Sequence, residues 1–195
     1  MLMSPFRTTP KAAGSAPIAH GRLPRAQYRC GATGELRTGF PDFAFVLPTP
    51  IADMPERQRE RRVKAGSDFC SIDDQSYFIR CTMIHQVIDC GDRFGYGVWV
   101  EVSERSAKIY YDNFELVKAK HLGPFCGRFA NRVPGLPETM GMNCKVHLSD
   151  EGQRPSVELL PATHPFYDEH KNGISLERAI ALSKLIPGFE LFLDG

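Results

Sequence analysis

Charged, aromatic and imidazole side chains recur on one face of the strands that the sequence predicts. Alternation along each strand separates a strongly apolar face from a mixed face that carries these side chains. Trp and Arg are favoured anchors in protein interfaces, so the mixed face is the predicted binding surface. Its members are Arg80, Trp99, Glu101, Lys145, His147 and Glu158.

A second interpretation of the polar residues is acid–base catalysis. His147, Glu158 and His164 are of the types that transfer protons, and Arg80 or Arg154 would hold an anion. However, the sequence contains no Gly-rich phosphate loop, nucleophile elbow, H-E-x-x-H motif or paired carboxylate motif. Arg154 and His164 therefore join the predicted binding residues, no residue is predicted to be catalytic, and a small-molecule enzyme remains the alternative function.

The elements that must position these side chains begin with two hairpins over residues 67–103. Aromatic and β-branched runs at 69–72, 77–84 and 94–102 are bounded by Asp, Gly and Ser clusters, which is typical of strands joined by tight turns. Two of these runs place Arg80 and Trp99 on their mixed faces.

Further along, apolar spacing predicts helices over 104–118 and 176–186, capped by Ser103 and Ser175. Short strands are predicted at 124–129, 143–148 and 156–160, and Pro- and Gly-rich loops at 28–50, 131–142 and 161–173. The predicted fold is α+β: an antiparallel sheet of about five strands with two helices packed on one face, plus an irregular N-terminal segment.

Composition favours one domain with an extension. The chain has 195 residues, a net charge of +1 and no apolar run of membrane-spanning length, so neither nucleic acid nor a membrane is an expected partner. Residues 1–27 are rich in Pro, Ala, Ser and Gly, which predicts a disordered basic extension before a single domain over 28–195. No secretory leader is recognisable, and the six cysteines form no C-x-x-C pair, so free, mostly buried thiols in the cytoplasm are expected.

A basic segment at 54–64 has two interpretations. Five basic and two acidic side chains with almost no apolar stripe predict a helix capped by Asp53. The segment is either a nucleic-acid patch or a solvated helix with internal ion pairs, and the near-neutral total charge favours the solvated helix.

Several short motifs follow one another in a recognisable order along the chain. They are Ser67-Asp68-x-Cys70-x-Ile72-Asp73, Phe78-Ile79-Arg80, Gly97-Val98-Trp99-Val100-x-x-Ser103, Asn131-x-x-Pro134-x-x-Pro137-x-Thr139, Arg154-Pro155-x-x-Glu158-Leu159, His164-Pro165 and Gly173-Ile174. This ordered set resembles a bacterial family known as domain of unknown function 2199, over about residues 28–186. The resemblance implies no activity, because that family is uncharacterised.

One departure from that family concerns zinc. The resemblance implies a C-x-x-C-G knuckle followed by a His, but here only Cys30 is present, with Thr33 at the second position. Structural zinc needs four ligands, so no metal or other cofactor is expected. The predicted function is a non-enzymatic module that binds a protein or ligand, of a regulatory kind or like the immunity proteins that neutralise bacterial toxins.

Overall fold

The computed structural model describes residues 25–115 and 119–194. None of the helices in this part of the chain is long and apolar enough to cross a membrane. The strands are β1 (Arg25–Cys30), β2 (Leu36–Thr38), β3 (Phe43–Ala44), β4 (Val63–Ala65), β5 (Phe69–Ile72), β6 (Ser76–Gln86), β7 (Arg93–Val102), β8 (Phe125–Phe129), β9 (Asn143–His147), β10 (Ser156–Leu159) and β11 (Phe189–Asp194). The α-helices are α1 (Thr49–Ala52), α2 (Glu56–Arg62), α3 (Glu104–Asn113), α4 (Pro165–Asn172) and α5 (Leu176–Ser183).

The β6–β7 hairpin is the longest antiparallel pair of the described chain. It is in register from Tyr77 opposite Val102 to Gln86 opposite Arg93. Alternate residues of both strands are buried in one core cluster, which confirms the predicted apolar faces. The preceding β5 pairs with β6 and confirms the first predicted hairpin.

Five strands form a closed barrel rather than the predicted open sheet. Strands β6 to β10 pair in chain order as antiparallel neighbours, and the parallel pairing of Ser156 with Thr82 joins β10 back to β6. At this closure the Thr82 amide donates to the Pro155 carbonyl oxygen at 2.8 Å. The prediction of a sheet with helices on one face is therefore only partly right, because alternation along a strand is the same in open sheets and in small barrels.

A second, smaller core covers part of the outer face of the barrel. Phe78 and Trp99 point away from the main core and pack with Ile51, Cys70 and Ala130. The covering segment was predicted to be an irregular loop, but it contains β3, which pairs in parallel with β7, and the short helix α1. The prediction of a less buried mixed face is therefore wrong at Trp99, which has no exposed surface.

Three predicted helices are present with shifted ends. Ser103 caps α3 by accepting from the Ser106 amide, and Ser175 caps α5 by accepting from the Arg178 amide, as predicted. The predicted last part of α3, residues 116–118, lies outside the described residues. Helix α2 begins after Pro55 instead of being capped by Asp53.

The structure contains further elements that the sequence did not predict. Helix α4 lies within the predicted loop 161–173. Strand β1 pairs with both β2 and β11 in a separate three-stranded sheet. Because β1 begins at Arg25, the predicted end of the N-terminal extension falls inside this strand, and residues 1–24 lie outside the described residues.

The six cysteines are free, and five of them are buried, which confirms the prediction for the thiols. Burial raises the pKa of Cys70 to about 11 and that of Cys144 to about 12. We expect iodoacetamide to label the exposed Cys126 in the native protein, and to label Cys70 and Cys144 at least about tenfold more slowly, because the thiolate is the reactive form. Peptide mapping by mass spectrometry measures this difference; equal labelling rates would contradict the buried placement.

Candidate functional site

The structure distributes the eight predicted binding residues over three places. Arg80, Trp99 and Arg154 lie near β5 and the loop before β10; Glu101, Lys145, His147 and Glu158 lie on the outer face of the barrel; and His164 lies at the start of α4. The predicted single binding surface is therefore divided.

Trp99 is a core residue at the first place. Its indole nitrogen donates to the Phe45 carbonyl oxygen at 3.1 Å, and its amide donates to the Asn131 side-chain oxygen at 2.7 Å. Arg80 lies over the indole ring, with 5.9 Å between the guanidinium carbon and the ring centroid. The Trp99 ring therefore packs beneath the Arg80 guanidinium and offers no surface to a partner.

Asp68 connects the two predicted arginines. Its carboxylate accepts a hydrogen bond from Arg154, and its backbone oxygen accepts from the Arg80 amide at 3.0 Å. Burial acts to raise the pKa of Asp68, but hydrogen bonds from Arg154 and Ser67 and the nearby Arg80 charge hold it below its usual value. The three side chains thus form a charged group with one more positive than negative charge.

Asp68 also lines a groove of about 490 Å³ between the start of β5 and helix α3. We call it the aromatic groove, because four of its lining residues are aromatic. Tyr111 is 70% exposed, and its ring centroid lies 6.0 Å from that of Phe69. The lining residues are Gly66, Ser67, Asp68, Phe69, Tyr110, Tyr111, Asp112, Phe114 and Glu115.

The Tyr110 side chain packs beneath the aromatic groove. It is 4% exposed, and its hydroxyl is buried without a hydrogen-bond partner among the described residues. Burial raises the pKa of this phenol, so the hydroxyl stays protonated at neutral pH. Tyr110 therefore forms part of the apolar floor of the groove.

On the outer face of the barrel, four predicted residues form an exposed polar surface. His147 and Glu158 are joined at 2.8 Å between Nε2 and Oε2, and Lys145 lies opposite Glu158 in the β9–β10 register. Glu101 lies opposite Arg128 and borders a separate cavity of about 330 Å³. These pairs are exposed, so their contribution to stability is small.

His164 is separated from the other two residues of the acid–base hypothesis. Its Nδ1 accepts a hydrogen bond from the Phe166 amide at 3.0 Å and so caps α4. Its Nε2 is buried without a hydrogen-bond partner among the described residues, so His164 bonds to neither His147 nor Glu158. The three residues therefore do not share one hydrogen-bonded site in this structure.

Six polar residues meet at the contact of α4 with the barrel, and sequence reasoning predicted only one of them, His164, as a site residue. We call this group the buried polar cluster; each member has a buried side-chain atom without a hydrogen-bond partner among the described residues. The atoms are His85 Nδ1, Tyr96 Oη, His164 Nε2, Glu169 Oε2, His170 Nδ1 and Arg178 Nη2.

The buried polar cluster is held together by ring contacts and one ion pair. The His85 ring centroid lies 5.0 Å from that of Tyr96 and 5.5 Å from that of His170. Arg178 Nε donates to Glu169 Oε1 at 2.9 Å, with both side chains about 20% exposed or less. Burial lowers the pKa of His85 to about 3, so its imidazole is neutral at neutral pH.

The basic helix α2 is solvated and has no buried residue. The last residue of α2, Arg62, pairs with Asp73 of the β5–β6 turn at 2.6 Å, and Lys64 of the following strand β4 pairs with Asp74 of the same turn, also at 2.6 Å. The ion pairs therefore join α2 to a neighbouring hairpin, in place of the predicted pairs within the helix.

The β1–β2 turn carries Cys30, the remaining position of the expected zinc knuckle. Hydrogen bonds from the Thr33 side chain and from the amides of Thr33 and Ala32 lower the pKa of its thiol. Within residues 25–115 and 119–194, no three His, Cys, Asp or Glu side chains are grouped so as to hold a metal ion. Zinc-free folding stays a prediction.

These features define an α+β protein built on a five-stranded barrel. The profile of a family described as an uncharacterised protein conserved in bacteria, domain of unknown function 2199, matches residues 29–174. The chain therefore belongs to this family, as its motifs predicted. Comparison with curated proteins finds no match, and comparison with solved structures finds none either.

Proposed function

We propose that this protein is a non-enzymatic binding module whose partner is another protein, bound at the aromatic groove. The observation that carries the proposal is Tyr111, a large aromatic side chain left 70% exposed beside a groove of about 490 Å³. Aromatic residues are enriched in interfaces and dominate their binding energy, because they bury a large area at low entropic cost.

The polar end of the aromatic groove supports the same function. Arg80 and Arg154 hold Asp68 at the rim, which gives the groove a fixed carboxylate beside its aromatic side chains. A groove of this volume accommodates a few side chains, and an apolar centre with a small number of fixed polar groups is typical of a recognition site. Two of the predicted binding residues, Arg80 and Arg154, thus contribute to it indirectly.

A role in regulation, or in neutralising a toxin in the cytoplasm, fits a small protein with free, mostly buried thiols and an aromatic recognition groove. We do not propose nucleic acid as the partner, because the basic helix α2 is partly neutralised by Asp73 and Asp74. We do not propose the acid–base enzyme, because His164 is hydrogen-bonded within α4, away from the His147–Glu158 pair.

We expect Tyr111→Ala to abolish partner capture while leaving the fold intact. The wild-type protein, this variant and the control Lys145→Ala are immobilised, and captured proteins from a lysate of the source organism are identified by mass spectrometry. Removing an interface aromatic costs about 2 kcal/mol or more of binding, a loss of about 30-fold in affinity. Lys145 is a fair control, because it lies on the outer face of the barrel on β9.

The decisive pattern is one protein retained by the wild type and by Lys145→Ala but lost from Tyr111→Ala. If all three proteins retain the partner, the interface lies outside the aromatic groove. A partner lost only from Lys145→Ala places the interface on the outer barrel face instead. Recovery of no specific partner in repeated experiments rejects the proposed function.

A further inference from the structure

Helix α4 packs on the barrel through the fully buried ring of Phe166, and ionisable side chains lie beside this contact. The Phe166 ring centroid lies 5.3 Å from that of Phe129 and 5.5 Å from that of His85. Three polar side chains also lie near His85: Tyr96 from β7, His170 from α4 and Arg178 from α5.

The positive charges that acid can create at this contact exceed the negative charges that face them. Two imidazoles, His85 and His170, and the Arg178 guanidinium share one carboxylate, Glu169, which is already paired with Arg178. Glu158 on β10 is a second carboxylate close enough to favour protonation of His170. Protonation of both imidazoles would therefore leave at least one uncompensated positive charge in a buried site.

The hydrogen-bonding environment of His85 and His170 makes their protonated forms still less favourable in the docked state. The His85 Nε2 lies 3.2 Å from the Met83 sulfur, which can only accept, so Nε2 carries the proton and Nδ1 is unprotonated in the neutral ring. A proton added at Nδ1 has no acceptor, because that atom is buried without a partner among the described residues, as is Nδ1 of His170.

We propose that α4 is an acid-sensitive latch. It stays packed on the barrel at neutral pH and detaches locally when the buried polar cluster takes up protons. The barrel strands keep their own backbone pairing, so the release is local to α4. The proposal is independent of the aromatic groove, because the groove is formed by β5 and α3.

The pKa of His85 gives the size and direction of its contribution to the pH dependence of α4 opening. Its pKa is about 3 in the docked state and about 6.5 in water, so the open state gains protons as the pH falls below about 6.5. At about pH 5, His85 alone raises the opening equilibrium about 30-fold over its value at neutral pH. Burial also lowers the pKa of His170, so its protonation acts in the same direction, whereas burial raises the pKa of Glu169, whose protonation opposes opening.

Amide hydrogen exchange of the full chain at about pH 7.5 and about pH 5 tests the latch, with protection factors corrected for intrinsic rates. The reporter is the Gly173 amide, bonded to the Glu169 carbonyl oxygen, and the reference is the set of amides paired between β6 and β7. We expect protection of α4 to fall at least about 30-fold at the lower pH, with the β6–β7 amides changing less than about twofold.

Two variants separate the latch from general acid unfolding. His85→Gln with His170→Gln removes two titrating rings and should abolish most of the response, whereas His147→Gln, which alters an exposed His, should retain it. Unchanged α4 protection at the lower pH, or equal loss in α4 and the barrel, overturns the proposal. If the double variant does not fold, imidazole NMR titration of the wild type decides, since protonation of His85 without loss of α4 protection also overturns it.

Discussion

Replacing Trp99 by Ala is expected to destabilise the protein by about 3–5 kcal/mol, which is a large share of the total stability of a domain of this size. The side chain is fully buried in the second core, between the outer face of β7 and the segment around Ile51. Its removal leaves a large cavity and takes away the donor to the Phe45 carbonyl oxygen. The measurement is urea unfolding followed by circular dichroism.

Two further variants serve as controls for the Trp99→Ala result. Trp99→Phe keeps part of the ring volume but loses the indole donor, so we expect a smaller loss of about 1–3 kcal/mol. Tyr111→Ala alters an exposed aromatic and should change stability by less than about 0.5 kcal/mol. A Trp99→Ala variant as stable as the wild type would show that the second core is not formed in solution.

Replacing Asn131 by Ala is expected to cost about 2–6 kcal/mol of stability. This buried amide joins two segments of the outer layer to the barrel: its oxygen accepts from the Trp99 amide at 2.7 Å, and its nitrogen donates to the Leu47 carbonyl oxygen at 3.0 Å. The Ala variant leaves both backbone groups without a partner, at about 1–3 kcal/mol each. Urea unfolding gives the difference in the free energy of unfolding.

Asn143→Ala provides the matched control, because Asn143 is exposed on β9 and the same atoms are removed. We expect its stability to stay within about 0.5 kcal/mol of the wild type. Similar losses in both variants would contradict the bridging role of Asn131. The geometry also gives the family motif around Asn131 a structural explanation, since the Thr139 hydroxyl donates to the Asn131 backbone oxygen at 2.6 Å.

Much of the strand content was predictable because it depends on local alternation. The runs that contain Ile79, Val98 and Val146 form β6, β7 and β9 close to their predicted limits. The caps Ser103 and Ser175 were also predictable, since an N-cap serine before a periodic apolar stripe is a local signal. Barrel closure was not predictable in this way, because it depends on the pairing of Ser156 with Thr82, which are distant in sequence.

The site prediction was limited for the same reason, because the sites depend on contacts between segments that are distant in sequence. Alternation correctly placed Trp99 on the face opposite the main core, but no local pattern indicates that Phe45 and Ile51 cover this face. The buried polar cluster was missed because its residues come from β6, β7, α4 and α5, and because α4 lies in a segment predicted as a loop. Aromatic grooves likewise arise between elements, here between β5 and α3.

The seam between β10 and β6 has a kinetic consequence. All other neighbours in the barrel are adjacent in the chain, and β10 contributes to β6 the single paired position Ser156–Thr82. Strands β6 and β7 are joined by a short turn, whereas the seam brings together Thr82 and Ser156 and so closes the longest loop of the barrel. Long-range pairing of this kind slows folding, because the entropy of closing a long loop is lost before the contact is gained. Thr82, which bonds the Pro155 carbonyl oxygen through both its amide and its hydroxyl, is the residue at which this loop is held closed.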